Sequence, residues 1–196
     1  MAEAGVAIGR AARDKQTLRA LAQLRIAVFR DWPYIYDGSL GYEEGYLAEF
    51  LADRDAVLIV ASVAGEPVGM ATASRLAGQP DEFVAPLAAS GLPVDRTFYF
   101  GESVLLPAWR GQGIGHAFFD HREAAARAGA ATHAVFCAVL REAGHPLAPE
   151  SPRDLAPFWR HRGYAPLPGV TAPMEWKDRD QSAGTAHTMQ FWVRSL

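Results

Sequence analysis

Apolar residues recur at helical spacing in several segments of the chain. Over residues 14–32 this spacing predicts a first helix, and Arg25 falls on its otherwise apolar face. Over residues 113–128 it predicts a long amphipathic helix, with Arg122 and Glu123 on the polar face. The remaining segments with helical spacing are the one that ends before Asp53 and residues 152–164.

Shorter apolar runs, bounded by turn residues, predict the strands of a sheet. These runs are residues 5–10, the two halves of 56–76, 97–106, 133–140, 173–178 and 188–196. AGEP joins the halves of 56–76 as an antiparallel hairpin, and residues 179–187 close a second one. Residues 77–96, rich in Pro and Gly, are expected to be loop with room for one short helix. The order β-α-α-β-β-β-α-β-α-β-β predicts a mixed α/β fold, expected as a single domain over residues 1–196.

Charge and composition narrow the range of partners. A formal net charge of -3 and a pI near 6.1 lack the positive field on which nucleic-acid and anionic-membrane binding rely, so neither is an expected partner. Cys137 is the single cysteine, which excludes an intrachain disulfide and fits a reducing compartment. The N-terminal segment lacks the apolar core of a secretory signal, and no stretch approaches the roughly 18 apolar residues of a membrane span. We therefore expect a cytoplasmic protein.

Glycine and arginine cluster where a predicted strand meets a predicted helix. The segment from Arg110 to Gly115 reads R-x-x-G-x-G. Other glycine motifs fail: no lysine completes a P-loop, His116 and Phe118 replace glycines of a dinucleotide fingerprint, and Leu105 replaces the last glycine of G-x-S-x-G. Glycine lets a bulky anion reach the main chain, and the amides at a helix N-terminus converge on it. The pattern indicates a pyrophosphate site, with a plain strand-to-helix turn as the alternative.

Two segments resemble the GCN5-related N-acetyltransferase (GNAT) superfamily. VLLPAWRGQGIG, residues 104–115, is similar to its coenzyme A signature Q/R-x-x-G-x-G/A after a strand, and FWRHRGY, residues 158–164, is similar to its later F-Y-x-x-x-G-F segment. The order of elements matches that fold over nearly the whole chain. The resemblance implies a splayed mixed sheet flanked by helices, with the pantetheine arm of acetyl-CoA between the strands ending at residues 106 and 140.

The same resemblance implies which residues hold acetyl-CoA. The main chain of Val104, Leu105 and Leu106 would pair with the pantetheine amides, and the N–H of Leu105 would stabilise the oxyanion. Phe158 and Trp159 would also border the cofactor. The pyrophosphate would lie on Arg110, Gly111, Gln112, Gly113, Ile114, Gly115 and His116. No metal is expected, since one cysteine cannot build a thiolate cluster.

Acyl transfer to an amine calls for a base, because an alkylammonium with a pKa of about 10.4 is almost fully protonated at neutral pH. Strand alternation puts Glu102 on one face with Val104 and Leu106, so we expect Glu102 to be the base. An ion-paired carboxylate that positions the substrate is the alternative. Trp159 stands where many family members have an acidic tyrosine, which leaves Tyr164 as the candidate acid if its turn faces the cleft.

In the family, the loop between the first two helices and the closing hairpin select the acceptor. Tyr34 and Tyr36 lie in that loop here and are expected to contact a small primary amine. The sequence thus predicts an acetyl-CoA-dependent N-acetyltransferase that works by direct attack in a ternary complex, and analogy suggests a homodimer through the closing hairpin. Two alternatives stay open: a noncatalytic acyl-CoA-binding or sensory domain, and an acetyltransferase for protein lysines or N-termini.

Overall fold

The chain folds into a mixed α/β structure, seen in a computed structural model that describes residues 5–12 and 14–196. The other residues, 1–4 and 13, belong to the segment expected to lack a secretory signal and lie outside the described residues. The helices are α1 (Lys15–Phe29), α2 (Leu40–Ala52), α3 (Asp81–Ala89), α4 (Ile114–Ala128) and α5 (Ala156–His161). The strands are β1 (Ala7–Arg10), β2 (Val57–Val63), β3 (Glu66–Arg75), β4 (Thr97–Tyr99), β5 (Ser103–Leu105), β6 (His133–Val139), β7 (Ala165–Trp176) and β8 (Thr185–Ser195). Among the helices described, none has both the length and the apolar character needed to span a bilayer.

The strands form one mixed sheet with helices on both faces. Its order is β1-β2-β3-β4-β6-β8-β7, with β5 also paired to β3, and the β4–β6 pair is parallel while the others are antiparallel. Successive strand residues point to opposite faces. Met70 accordingly packs with the apolar side chains of α1 and α2, whereas Ala71 packs with those of α4. This architecture confirms the predicted fold class.

A β-bulge divides the predicted strand 97–106 into β4 and β5. The register pairs Ser74 with Tyr99 and Ala71 with Ser103, so the three residues 100–102 oppose only two residues of β3. The parallel β4–β6 ladder ends at the Tyr99–Val135 pair, after which β6 continues along β8 while β5 stays with β3. The sheet therefore opens between β5 and β6, as the family resemblance implies.

The short helix expected within residues 77–96 is present, whereas one strand differs from its predicted bounds. Nine residues of the predicted loop 77–96 form α3, whose Phe83 packs edge-on against Tyr99. β7 starts at Ala165, eight residues before the strand predicted over residues 173–178. A register shift between Pro166 and Thr171 accommodates these residues in the strand.

Helix α4 buries two charged residues that the helical pattern places on its polar face. Arg122 is 1% exposed and Glu123 is 3% exposed, so this prediction was wrong. Glu123 Oε1 accepts hydrogen bonds from Arg194 Nη1 at 2.9 Å and from the Tyr164 hydroxyl at 3.2 Å. It also pairs with Arg162 at 3.0 Å. Ionic partners from β8 and from the residue that follows α5 thus make the burial of Glu123 possible, which helical periodicity alone does not reveal.

Candidate active site

The segment 110–116, here called the glycine loop, presents open main chain at the start of α4. Gly111 and Gly113 have φ angles of 78° and 81°, in the left-handed region that favours glycine. Apart from the adjoining residues of the chain, no heavy atom of the described residues lies within 4 Å of where a Cβ would stand at either glycine. The helix ladder begins with the amide of Ala117, which donates to Gly113 C=O at 3.1 Å. The amides of the first helical turn are therefore left by helix geometry to face outward.

Polar side chains brace the glycine loop from the strand side. Arg110 Nε donates to Leu105 C=O at 3.2 Å, and Gln112 Nε2 donates to Ala108 C=O at 3.1 Å. Arg110 is exposed, so its guanidinium remains beside the open amides. Unpaired N–H groups, a helix N-terminus and an arginine at one point suit a phosphate group.

The two aromatic residues of the later motif pack against the elements around the glycine loop. The Phe158 ring lies 4.9 Å from the His116 ring and 5.6 Å from that of Phe119, both on α4. Trp159 packs against Phe136 at 5.1 Å and Trp192 at 5.0 Å. Helix α5 thus supports the first turn of α4 and the β6 side of the opening.

The main chain of β5 offers Leu105 to the opening in the sheet. The Leu106 amide donates to Val68 C=O at 2.9 Å, and Glu102 C=O accepts from the Thr72 amide at 3.0 Å. Since an antiparallel ladder alternates, the N–H and C=O of Leu105 point away from β3. Leu106 C=O is also occupied, because it accepts from the Trp109 amide at 3.0 Å. Of the β5 residues expected to bind the pantetheine arm, Leu105 is the one whose N–H faces the opening.

Just before β5, the Glu102 side chain points toward α1 and α2 and is bound to a buried arginine. Its Oε2 forms an ion pair with Arg25 Nη1 and accepts from the Tyr46 hydroxyl at 3.3 Å. The Glu102 side chain is 9% exposed, and its Oε1 has no hydrogen-bond partner in the described part of the chain. The neighbouring Glu102 charge, followed by burial, raises the pKa of Tyr46, so this phenol stays a donor. The strand alternation predicted for Glu102 and Val104 is confirmed, since both face α1 and α2.

Arg25 joins Glu102 to a second carboxylate, and the three residues Arg25, Glu43 and Glu102 are called the carboxylate cluster here. Arg25 Nε donates to Glu43 Oε2, and the Glu43 side chain is fully buried. The Arg25 guanidinium also lies over the Tyr46 ring, 4.3 Å from its centroid. Burial opposes the charge on Arg25, but Glu102, Tyr46 and Glu43 outweigh it and raise its pKa. The carboxylate cluster holds two acidic groups and one basic group in a place nearly free of water.

The bulge that carries Glu102 is held by groups from β3 and α4. The Glu102 amide donates to Thr72 Oγ1 at 3.1 Å, and a Cβ on Gly101 would lie 2.6 Å from that oxygen. Arg122 Nη1 donates to Glu102 C=O at 3.2 Å and to Thr72 C=O at 3.4 Å. Burial lowers the pKa of Arg122 to about 10, which still leaves it charged at neutral pH. One helix therefore both begins at the glycine loop and fixes the main chain of Glu102.

Tyr164 does not line the cleft, and the expectation that it serves as the acid was wrong. It is 1% exposed and packs among Phe100, Phe119 and Phe136. Its hydroxyl donates to Glu123, and burial, followed by the Glu123 charge, raises its pKa. The glycine before it ends α5 in the left-handed conformation and turns Tyr164 into the core.

Tyr34 lies in the loop between α1 and α2, which is fastened to the turn between β7 and β8. Its ring packs against Phe29 at 4.8 Å and Trp176 at 5.6 Å. Its carbonyl accepts from Arg141 Nη2 at 2.7 Å, while Arg141 binds both carboxylate oxygens of Asp178, at 2.6 and 2.9 Å. Burial, with smaller contributions from neighbours that include Glu102, raises the pKa of Tyr34. The aromatic loop is thus locked to the β7–β8 turn at its rim.

Tyr36, the other tyrosine predicted to contact substrate, lies beside the carboxylate cluster. It forms an isolated β-bridge with Asp178, and its amide donates to Phe29 C=O at 2.9 Å. Burial and the neighbouring Glu43 carboxylate raise the pKa of its hydroxyl. The loop therefore brings both tyrosines to the side of the sheet where Glu102 lies.

One group of side chains outside the cleft has ligand atoms close enough for a cation. Atoms of His145, Asp178 and Asp180 lie within 4.8 Å of one another. Asp178 is already bound through both oxygens by Arg141, which holds its pKa below the usual range against the effect of burial. This group therefore offers a cation little free carboxylate.

The sequence indicated only part of the carboxylate cluster. Arg25 carried a signal, because a charged residue on an apolar helical face needs a buried partner. Glu43 and Tyr46 carried none, since both look like ordinary residues of an amphipathic helix. Tyr99 was missed as well: the extra residue of the bulge brings it to the same face as Glu102, and its hydroxyl lies 3.1 Å from Cys137 Sγ.

Comparison with known proteins places this geometry among acetyltransferases. The model of the acetyltransferase (GNAT) family matches residues 19–148. Among solved structures, yncA from Salmonella typhimurium with its cofactor acetyl-CoA is 16% identical and has a TM-score of 0.63, covering 97% of this chain and 94% of that one. A search of curated protein sequences finds no match.

Two more solved structures share the fold but differ in the acceptor they are named for. Aminoglycoside 6′-N-acetyltransferase complexed with coenzyme A is 13% identical with a TM-score of 0.64, covering 96% of each chain. Ribosomal-protein-alanine N-acetyltransferase from Brucella melitensis is 17% identical with a TM-score of 0.62, covering 97% of this chain and 99% of that one. At such identities the likeness shows the fold alone.

Proposed function

Because the chain belongs to the acetyltransferase (GNAT) family, we propose that it transfers an acetyl group from acetyl-CoA to a primary amine of a small molecule. One observation carries the proposal: the Leu105 N–H faces the opening of the sheet shortly before the glycine loop, and the Glu102 side chain, three residues earlier, lies on the side of the sheet that α1 and α2 cover. The proposed base, oxyanion donor and phosphate site therefore follow one another along the chain in that order.

The residues of the glycine loop fit the diphosphate of coenzyme A. Gly111 and Gly113 leave their Cβ positions open, and the first-turn amides of α4 supply donors. The exposed Arg110 adds positive charge. Along the opening, Leu105 offers its N–H to the pantetheine arm, and Phe158 and Trp159 support the surrounding elements. Acetyl-CoA bound there supplies an activated thioester.

Glu102 takes the proton that keeps the acceptor unreactive. An alkylammonium with a pKa of about 10.4 needs about 4 to 5 kcal/mol to lose its proton at pH 7. With that proton on Glu102, the nitrogen lone pair forms a bond to the thioester carbonyl carbon and the carbon–sulfur bond breaks. The second proton that the nitrogen loses as the amide forms passes to the departing thiolate, directly or through water. Leu105 N–H donates to the carbonyl oxygen as negative charge develops on it. A thiolate with a pKa of about 8.5 departs without a dedicated acid, which agrees with Trp159 at the usual tyrosine position.

A small acceptor is favoured by the loop at residues 30–39. Arg141 ties this loop to Asp178, so its aromatic side chains form a fixed wall. Tyr34 and Tyr36 face the carboxylate cluster from this wall and are the proposed acceptor contacts. A wall of this kind suits a compact amine better than a protein segment.

Calorimetric titration with acetyl-CoA and with coenzyme A tests the cofactor site. We expect binding to the wild type and an at least tenfold weaker Kd in Gly113→Ala, because the new Cβ enters the loop. Gly91→Ala is the matched control, since Gly91 also has a positive φ of 88° and open space around it but lies at the end of α3. Absence of heat from the wild type with both forms of the cofactor would refute the site.

Thiol release with a panel of amines tests the reaction. Glu102→Gln should lose about 10²–10⁴-fold in kcat with coenzyme A affinity unchanged. Glu82→Gln, an exposed residue of α3, is the control and should keep full activity. The panel includes peptides with a lysine or a free N-terminus: release with these alone would favour a protein acceptor. Binding without release from any amine would favour a noncatalytic sensor.

A further inference from the structure

We propose that Glu43 is a positioning residue that keeps Glu102 basic by sharing Arg25 with it. The inference rests on the proposed function of Glu102 as the base, and it adds a residue on another element that sets how Glu102 works. Glu43 is linked to Glu102 through Arg25, since its carboxylate oxygen binds Nε while Glu102 binds Nη1 of the same guanidinium.

Arg25 has two acidic partners, Glu43 and Glu102, although one carboxylate is enough to balance its single positive charge. All three side chains of the carboxylate cluster are at least nine-tenths buried, with exposures of 8% for Arg25, 0% for Glu43 and 9% for Glu102. A buried ion pair already pays a large desolvation penalty, and a second carboxylate adds repulsion between like charges. An arrangement with this extra charge is unfavourable for stability alone, so it points to a role in the site.

Of the groups near the Glu102 carboxylate, Arg25 and Glu43 are the two whose charges act on it most directly. The groups that face the carboxylate cluster or the Glu102 main chain are Arg25 from α1, Glu43 and Tyr46 from α2, Tyr34 and Tyr36 from the loop before α2, and Arg122 from α4. Tyr99 from β4 interacts with Tyr34 and Tyr46, and its hydroxyl contacts Cys137 of β6. The pKa of Tyr36 is raised by burial and by Glu43, so its hydroxyl is neutral. Raised pKa values keep Tyr34, Tyr46 and Tyr99 neutral, and burial raises the pKa of the Cys137 thiol to about 11. Arg122 reaches the Glu102 carbonyl rather than its carboxylate.

The charges of Arg25 and Glu43 act in opposite directions on the proton affinity of Glu102. A carboxylate that alone pairs with a buried guanidinium is stabilised in its ionised form and is a poor proton acceptor. Glu43 divides the hydrogen bonds of Arg25 and adds a like charge nearby, and both effects restore proton affinity to Glu102. Arg25 in turn holds the carboxylate in one orientation, with Oε1 left without a partner in the described residues.

Direct titration of the carboxyl groups tests the inference without turnover. In protein labelled with ¹³C at the glutamate carboxyl, the Glu102 signal is the one that disappears in Glu102→Gln. In Glu43→Gln we expect it to titrate about one pH unit below wild type, because Arg25 then serves Glu102 alone. Glu43→Asp should move it in the same direction by less, and serves in its place should the glutamine variant fail to fold. The acid limb of kcat/KM should shift by the same amount.

Glu44→Gln is the matched control, because it removes one negative charge from the same helix. Glu44 pairs with the exposed Arg19 at 3.2 Å, so its loss should leave the Glu102 titration unchanged. A folded Glu43→Gln with a lower Tm but an unmoved Glu102 titration would show a structural role and overturn the inference. Full activity of Glu102→Gln would instead overturn the base assignment, while the titrations still report on the link between the two carboxylates.

Discussion

Replacing Gly101 with alanine should disturb the bulge that carries Glu102. The new Cβ would lie 2.6 Å from Thr72 Oγ1, while its next neighbours, Thr72 Cβ and Tyr99 Cε1, stand at 3.8 and 3.9 Å. The conflict is therefore with one oxygen. Thr72 is fully buried and stiff at χ1, so the hydroxyl cannot swing away freely, and any rotation breaks its bond to the Glu102 amide.

The size of the effect follows from these two terms. Overpacking at a buried site costs about 1 to 3 kcal/mol, and loss of a buried hydrogen bond costs about 1 kcal/mol. The entropy that alanine removes from the unfolded chain offsets about 0.5 kcal/mol. We expect Gly101→Ala to lower the free energy of unfolding by about 2 kcal/mol, measured by urea denaturation with linear extrapolation.

A double-mutant cycle with Thr72→Ala isolates the contact. The threonine variant alone should lose about 1 to 2 kcal/mol, because the Glu102 amide is left without its acceptor. In the double variant the clash is gone, so its stability should be close to that of Thr72→Ala, with a coupling of about 2 kcal/mol. Gly9→Ala, in a strand with open space, should have little effect. Additive losses in the double variant would refute the proposed contact.

Two further predictions concern groups outside the catalytic cleft. The Cys137 thiol, 8% exposed and with its pKa raised by burial to about 11, should react with iodoacetamide at pH 8 far more slowly in the native protein than in urea; equal rates would contradict it. Asp178→Asn should cost about 3 to 5 kcal/mol in urea denaturation at pH 7, because Arg141 is left buried without a charge partner. The pKa of Asp178 in the folded protein lies below its ordinary value. The difference in unfolding free energy between wild type and Asp178→Asn should therefore shrink as the pH falls through that folded pKa. A difference that stays constant with pH would contradict the ion pair as its source.

Most of the fold could be predicted from the sequence, because its signals are local. The Asp14 side chain accepts from the Thr17 amide at 2.9 Å and begins α1 within one residue of the predicted start. The turn at Ala64 and Gly65 takes positive φ at both residues, which matches the predicted hairpin of β2 and β3. A helix cap or a hairpin turn depends on residues that are neighbours along the chain, so it can be predicted without knowledge of the tertiary structure.

The bulge could not be predicted, because it depends on the register between two strands. An apolar run reads the same whether or not one residue is extra, and Gly101 becomes informative only when Thr72 is known to face it. The charged residues of α4 show the same limit. Arg122 can be buried because its guanidinium donates to the carbonyl groups of Thr72 in β3 and Glu102 in the bulge, which lie 50 and 20 residues away in sequence. The spacing of residues within a helix gives no information about such distant partners.

The two halves of the candidate site differ in how far apart their parts lie along the chain. The half proposed for coenzyme A consists of main chain from residues 105 to 116, and glycine at fixed spacing is enough to reveal it. The half proposed for the acceptor is built from side chains: Arg25 and Glu43 are 18 residues apart, and Tyr46 and Glu102 are 56 apart. Backbone chemistry tolerates many side chains, whereas a buried charge cluster requires each partner in place. Differences in acceptor choice within this fold should therefore be sought on α1, α2 and the loop between them, where the partners of Glu102 reside.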